Sequence, residues 1–421
     1  MRPHRSAGRL APRRAGLLAA LVAAHLAALV ASGCSSADGS GGPVTPPVTD
    51  TPSLARATVL GSLSNPWDIA FAPTGEMFFT ERCNGLSVRR TNGTVVRLFG
   101  TAGSALVVPD LFCEGQSGMN GVAVDPDFAT NRRIYVYMAS NLSTNPRTNR
   151  VVRLVIDAGF TTAGQRTDII TDIRYKDVAN AVGGAGAHSG GRLRFGPDGF
   201  LYVTTGDNHN PGLPQSQTLL GGKVLRVTTA GAAAPGNAAP AGFDARIYTY
   251  GHRNPQGIAF RPSDGRPFTS EHGPNHSDEV TMLVNGGNGG WDPQNRPSLS
   301  CPDNYCGYAG SASTMPMTDV ARFPSAMPPT WTNNGNSQGT GPAAFLDGPQ
   351  WRAWNGRLAV GIMGGTRLMI LEIAANGSLV SETDANLPAV RYRALTQGPD
   401  GNLYIATDAG EIWRVVPSPA P

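Results

Sequence analysis

Charge is scarce in this 421-residue chain, with 15% Asp, Glu, Lys and Arg, and aromatic residues are scarcer at 7%. The net charge is only +4 and no Lys/Arg cluster follows Arg14, so nothing in the charge pattern points to nucleic acid. No Cys-x-x-Cys occurs, which argues against a thiolate zinc centre or a redox dithiol. Helical periodicity is missing as well, leaving strands as the expected element.

What the chain has in quantity is turn punctuation: 53 glycines and 34 prolines. Set between short apolar runs, they indicate an all-β chain rather than a disordered one. The start reads differently. Arg2, Arg5, Arg9, Arg13 and Arg14 precede an apolar run over 15–30, short for a membrane span, and Ala31-Ser32-Gly33-Cys34 follows. This resembles the lipobox of bacterial lipoproteins, so 1–33 is expected to be a signal peptide and Cys34 the acylated residue; Arg13-Arg14 would also suit twin-arginine export. A flexible tether over 34–55 and a folded domain over 56–417 complete the expected organisation. The expected location is the periplasm or cell surface, with the membrane reached through the lipid on Cys34. Four further cysteines in an exported chain suggest two disulfides. Three connectivities are open, and minimal loop closure favours Cys83–Cys113 with Cys301–Cys306.

From Leu60 onward one unit returns: a short apolar strand, a Pro/Asp/Gly turn, and a strand ending in Thr, Ser or Glu. Copies occupy 68–81, 121–138, 192–207, 257–271 and 394–408, with a weaker one at 354–373. Such repeats predict a six-bladed β-propeller with four-stranded antiparallel blades. Length beyond what compact blades need must lie in loops, and loops at one mouth of the central channel are where a site is built. Asp198 and Asp400, in Pro-Asp-Gly turns, are assigned to the turns themselves.

The stretch 183–210, GGAGAHSGGRLRFGPDGFLYVTTGDNHN, carries the first chemical signal. Two alternating runs flank Gly196-Pro197-Asp198-Gly199, and counting outward from that turn places His188 opposite Asp207. Directly opposed Cβ atoms lie ~4.5–5.5 Å apart, and a bulge at Gly199 would slip the pairing by about one residue. A carboxylate that holds one ring N–H leaves the other imidazole nitrogen as an acceptor, a poised general base.

Further motifs accompany this one in order: LSNPWDIAFAPTGEMFFTER (63–82), EGQSGMNGVAVDPDF (114–128), YGHRNPQGIAF (250–260), SEHGPNHSDEV (270–280) and RYRALTQGPDGNLYIATD (391–408). Together they make the chain resemble the soluble quinoprotein glucose/sorbosone dehydrogenases, aldose sugar dehydrogenases among them, over roughly 60–415. The resemblance implies a six-bladed propeller with pyrroloquinoline quinone (PQQ) at the channel mouth and Ca²⁺ at the quinone. The implied reaction is oxidation of an aldose, or a sorbosone-like sugar, at the anomeric carbon to the lactone. It gives His188 the role of general base and Asp207 that of the orienting carboxylate. Gln116 corresponds to a glutamine near cofactor and substrate, and Arg253 with Asn254 to the pair reaching the quinone oxygens, Arg253 facing the developing charge. Gly273 and Pro274 correspond to carbonyl ligands of the calcium; apart from the resemblance, Asp278 and Glu279 are expected to brace that loop. Arg391 and Arg393 correspond to the arginines on the cofactor carboxylates.

The chain departs from the family in three places. A lysine expected after a strand like LAVGIM reads Gly364 or Gly365, with Arg367 the nearby cation. Ala187 precedes the base, and Ser117–Gly121 replaces a Gly-Gly-Leu-Leu-Gly run. His209 and His252 receive no role, and Gly273-Pro274 excludes a helical metal pair of His272 and His276. Two other readings stand beside the leading one: a non-catalytic propeller that binds a glycan or a protein, and a calcium-dependent lactonase. The particular sugar and the electron acceptor stay unspecified.

Overall fold

The structure, a computed structural model, describes residues 50–177, 183–308 and 315–418. The expected signal peptide, Cys34 and most of the tether lie outside them. Among the described residues no helix is long and apolar enough to cross a membrane.

The repeats fold as antiparallel sheets whose first strands contact one another around a ring, forming a six-bladed β-propeller. Blade 1 consists of Pro66–Phe71, Met77–Glu81, Gly85–Arg89 and Val95–Gly100, with Leu106–Val107 added in parallel as a short fifth strand. Blade 2 is Met119–Val124, Arg133–Thr144, Arg147–Ile156 and Ala163–Arg174. Blade 3 is Leu193–Phe195, Leu201–Thr205, Lys223–Val227 and Ile247–Tyr250; blade 4 is Pro255–Phe260, Pro267–Glu271, Glu279–Met282 and Trp331–Thr332. Blade 5 runs Thr340–Phe345, Leu358–Ile362, Arg367–Ile373 and Leu379–Asp384. Blade 6 takes Tyr392–Gln397, Leu403–Thr407 and Glu411–Ser418, and its outermost strand is Ser53–Leu60 from the other end of the domain.

The turn chemistry repeats with the strands. In blade 3 the Gly199 amide donates to Gly196 O (2.9 Å) with Gly199 at φ +76°, and in blade 6 Gly401 does the same to Gly398 O (2.9 Å) at φ +74°; glycine adopts this conformation without a Cβ penalty. Asp198 accepts from Tyr202 Oη (3.0 Å) and Arg226 Nε (2.8 Å), as Asp400 accepts from Tyr404 Oη (3.1 Å) and Arg414 Nε (2.7 Å). Both aspartates therefore hold turns, as their setting predicts.

The weaker repeat at 354–373 is out of phase. It spans the middle strands of blade 5, whose inner strand is Thr340–Phe345. A 3₁₀ segment, Pro349–Trp354, replaces the tight turn and buries Trp351 and Trp354 in the core between blades 5 and 6. That apolar excursion hid the inner strand, because Asp347-Gly348-Pro349 after Phe345 leads into the 3₁₀ segment and not straight into the second strand.

Apolar faces of adjacent blades interdigitate: Phe78 and Val88 of blade 1 pack with Val122, Val136 and Val152 of blade 2. The channel itself is plugged by charge. Asp68, with no exposed surface, pairs with Arg192 (2.5 Å) and Arg194 (2.9 Å). Arg192 also donates to the carbonyls of Gln256 (3.0 Å) and Arg393 (2.9 Å), so one guanidinium joins blades 1, 3, 4 and 6. Disulfides form between Cys83 and Cys113 and between Cys301 and Cys306, the pairing that minimal loop closure favoured.

Candidate active site

A cavity of about 430 Å³ opens on the channel, and all six blades or their leading loops contribute to its wall through Trp67, Gln116, Gly190, Asn254, Met363, Arg391 and Arg393. A second cavity of about 260 Å³ shares His272, Met363 and Arg391 with it and adds Pro274. Four residues expected at a cofactor, Gln116, Asn254, Arg391 and Arg393, thus face one space, and Pro274 faces its neighbour.

His188 is set by the end of a hairpin. Leu193 pairs with Val203 and Phe195 with Leu201; then Gly190 and Gly191, at φ +61° and +97°, turn the chain off the ladder. A Cβ on Gly190 would lie 2.8 Å from Thr204 O, so only glycine fits that close approach. His188 follows in the left-handed region (φ +52°), and its Nδ1 meets Asp207 Oδ1 at 2.6 Å. Asp207 is fully buried. Its Oδ1 also accepts the His209 amide (2.9 Å), and its Oδ2 accepts Trp291 Nε1 and Tyr305 Oη, both at 2.8 Å. An indole and a backbone amide can only donate, so the carboxylate accepts throughout. His188 Nδ1 therefore carries the proton, and Nε2 presents its lone pair. Burial, then the charges of Arg253 and His272, hold His188 well below its ordinary pKa and keep it neutral. Burial raises Asp207 against the opposing pull of His209, Arg253 and its donors.

Arg253 lies behind the cavity wall rather than in it. Its guanidinium is buried, donates to His272 O (2.5 Å) and to Tyr308 Oη, and leaves Nε without a partner. The carboxylate of Glu271 is engaged by the backbone amides of Arg253 and Asn254 and by His252 Nδ1 (3.0 Å), not by the Arg253 guanidinium. Asn254 Oδ1 accepts from the Gly190 amide (3.3 Å) and Gln256 Nε2 (3.0 Å), tying the base hairpin to blade 4.

The Gly273–Asp278 turn is braced on one side only. Asp278 accepts from the amides of Gly273 (2.7 Å), Gln338 (2.7 Å) and Thr340 (3.2 Å) and from Ser337 Oγ (2.6 Å). Glu279, expected to assist, instead accepts from Thr318 Oγ1 (2.9 Å), and burial, with Glu271 adding to it, pushes it up to about 8. Its alternation on the strand points it away from Asp278. The Gly273 carbonyl accepts from His272 Nδ1 at 2.7 Å.

The mouth is cationic. Arg391 and Arg393 converge on Asp408, through Nε at 2.9 Å and through Nε and Nη2 at 2.8 and 2.7 Å. Arg82, which sequence reasoning left without a role, joins them in the wall and donates to Gly115 O (2.5 Å). Arg367 turns instead to Glu382 (2.7 Å), so it does not replace the lysine missing at Gly364 and Gly365.

Sequence reasoning also missed Trp291, Tyr305, Tyr308 and His209. The first three come from the long connection between Met282 and Trp331 in blade 4, which has no strand period to place them; its only signal was the nearby Cys301/Cys306 pair. His209 adjoins Asp207, but its ring direction depends on a left-handed backbone (φ +53°).

The six-bladed ring carries a cationic polar cavity at its channel mouth and, next in the chain to Ser189 of the cavity wall, a neutral imidazole held by a carboxylate; comparison with known proteins supplies the class, oxidoreductases acting on sugar CH–OH groups. The family profile described as glucose/sorbosone dehydrogenase matches residues 63–414, and the chain belongs to that family. It is 29% identical to the aldose sugar dehydrogenase of Escherichia coli K12 over 378 residues, covering 87% of this chain and 94% of that one. Among solved structures it is similar to a glucose dehydrogenase-type oxidoreductase of Thermus thermophilus, with a TM-score of 0.67, 31% identity, and coverage of 86% and 100%. It is also similar to the PQQ-bound aldose sugar dehydrogenase of Streptomyces coelicolor, with a TM-score of 0.67, 25% identity, and coverage of 88% and 99%.

Proposed function

We propose that the chain is an exported, PQQ- and calcium-dependent sugar dehydrogenase that oxidises an aldose at its anomeric carbon to the lactone. The observation that carries this reading is the neutral His188, held by Asp207 and carried on the loop whose Gly186, Ser189 and Gly190 wall a cavity that Arg82, Arg391 and Arg393 also line. The cavity suits the cofactor on two counts. Its volume, about 430 Å³, lies in the range of small-molecule sites, and its three guanidiniums outnumber its one carboxylate, Asp408, as a tricarboxylate requires. The Gly273 and Pro274 carbonyls are the hard oxygen donors that calcium prefers, two of the 6–8 it takes; cofactor and water would complete the shell. When bound, PQQ supplies the two-electron acceptor and Ca²⁺ the charge that polarises it.

The chain's own residues do the rest. His188 Nε2 takes the proton of the anomeric hydroxyl, a role that typically contributes ~10²–10⁴-fold. Asp207 stabilises the imidazolium that forms, and Arg253, held against Tyr308 and the His272 carbonyl, adds fixed positive charge behind the reacting atoms. Arg391 and Arg393, held together by Asp408, would bind the cofactor's carboxylates. Gln116 and Asn254, on the loops that lead into blades 2 and 4, would orient cofactor and sugar. A lipid on Cys34 anchors the enzyme at the periplasmic or outer face of a membrane. The test is titration of the apo-protein with PQQ and Ca²⁺ by quinone absorption, followed by dye-linked oxidation across an aldose panel. Failure to bind the quinone, with no aldose oxidised, overturns the reading.

A further inference from the structure

The base nitrogen of His188 is capped. His209 Nε2 lies 2.7 Å from His188 Nε2, the two rings meeting edge to face with centroids 3.7 Å apart. Because His188 Nδ1 gives its proton to Asp207, His188 Nε2 is the acceptor in this contact and His209 Nε2 the donor. His209 Nδ1 is then an acceptor, and it is buried with no partner. Tyr308 Oη, 3.5 Å from the same His188 nitrogen, closes another approach.

The cap is held under tension. Asn208 and His209 are successive non-glycine residues at φ +51° and +53°, a conformation that costs free energy and clusters at switching sites. The Asn208 Oδ1 atom is also buried without a partner, and unmet buried acceptors penalise the state that contains them. Stacking on Tyr305, with ring centroids 5.2 Å apart, opposes release. Room for the ring exists because residue 183 is glycine: a Cβ there would lie 2.5 Å from His209 Cε1.

We propose that His209 is a gate on the base: its Nε2–H occupies the His188 lone pair in the substrate-free chain, and it swings away to let a sugar hydroxyl take that seat. The proposal rests on the reading of His188 as the proton acceptor. His209 is a positioning residue that holds closed a fraction of molecules, and an enzyme open only part of the time binds substrate more weakly by that fraction.

The test uses wild type, His209→Ala, His209→Gln and Gly183→Ala. In the apo-protein, carbethoxylation of His188 by diethyl pyrocarbonate, mapped by peptide mass, reports whether Nε2 is open and needs neither cofactor nor turnover. His209→Ala is expected to speed it about fivefold or more, the value of one neutral hydrogen bond; His209→Gln, which keeps an N–H donor, is expected to restore protection. Gly183→Ala, which crowds the closed ring and also the Ala187 side chain before His188, is expected to follow His209→Ala in direction. In the holoenzyme, His209→Ala is expected to lower KM several-fold with little change in kcat. The gate is overturned if His188 reacts no faster in either Ala variant, or if kcat falls tenfold in His209→Ala, which would make His209 part of the proton path. Faster modification in a protein that binds no quinone and oxidises no sugar would keep the gate and sink the dehydrogenase reading instead.

Discussion

Four donors converge on the Asp207 carboxylate: an imidazole, an amide, an indole and a phenol. With its acceptor sites so engaged, the carboxylate fixes one tautomer of His188, and that tautomer is the chemical content of the site. His188→Gln is expected to bind cofactor normally in an absorption titration while losing two or more orders of magnitude in turnover. A second expectation concerns acid. Burial holds His188, His209 and His272 below the ordinary histidine pKa, His209 at about 2. Below pH ~6.5 the unfolded chain takes up protons that the folded chain refuses, so stability present at neutral pH is lost as the pH falls. Thermal melts are expected to show Tm dropping from pH 7 to 5, less steeply in His209→Gln. The His188–Asp207 pair was legible as two residues at the open end of one hairpin, but the count from the turn did not set it: the ladder pairs Leu193 with Val203, one residue off that count, and the contact depends on the chain leaving the ladder at Gly190 and Gly191. Trp291, Tyr305 and Tyr308 were not, since contacts made from a patternless loop leave no periodic trace.

Among the elements, inner hairpins announced themselves wherever a Pro-Asp-Gly or related turn joined them, and blade 5 was misphased where a tryptophan-bearing 3₁₀ segment took that turn's place. Loops follow a different logic: their function shows in what braces them. The Gly273–Asp278 turn hangs on one buried carboxylate with four donors. Asp278→Asn keeps the shape but converts part of an acceptor into a donor facing donors. It is expected to raise the Ca²⁺ concentration needed for half-maximal reconstitution about tenfold or more, while Arg391→Ala is expected to weaken PQQ binding instead. Separate calcium and quinone titrations of the two variants check this; equal effects on both ligands would mean that loop and arginine do not serve different ligands.

At the scale of the ring, blades 1, 3, 4 and 6 are joined through the channel by a charged knot, in addition to the apolar packing between neighbours. Asp68 is fully buried, and although burial pushes its pKa up, Arg192 and Arg194 win and hold it below the usual carboxylate value. Removing one partner of a buried pair typically costs ~3–5 kcal/mol because the other charge is stranded. Asp68→Asn is accordingly expected to lower the unfolding free energy from a denaturant titration by an amount in that range, whereas Arg414→Ala, on an exposed pair, is expected to cost under ~1 kcal/mol. None of this was legible in the sequence, where Arg192 and Arg194 look like ordinary strand charges. The closure of blade 6 has a temporal meaning too. Ser53–Leu60 is the first of the described strands to be made and its partner Glu411–Ser418 the last, so the first strand must wait with its edge unmatched until the other blades have been synthesised. Ring closure is therefore a late event in the life of the molecule, and any step that handles the nascent chain handles it with the clasp still open.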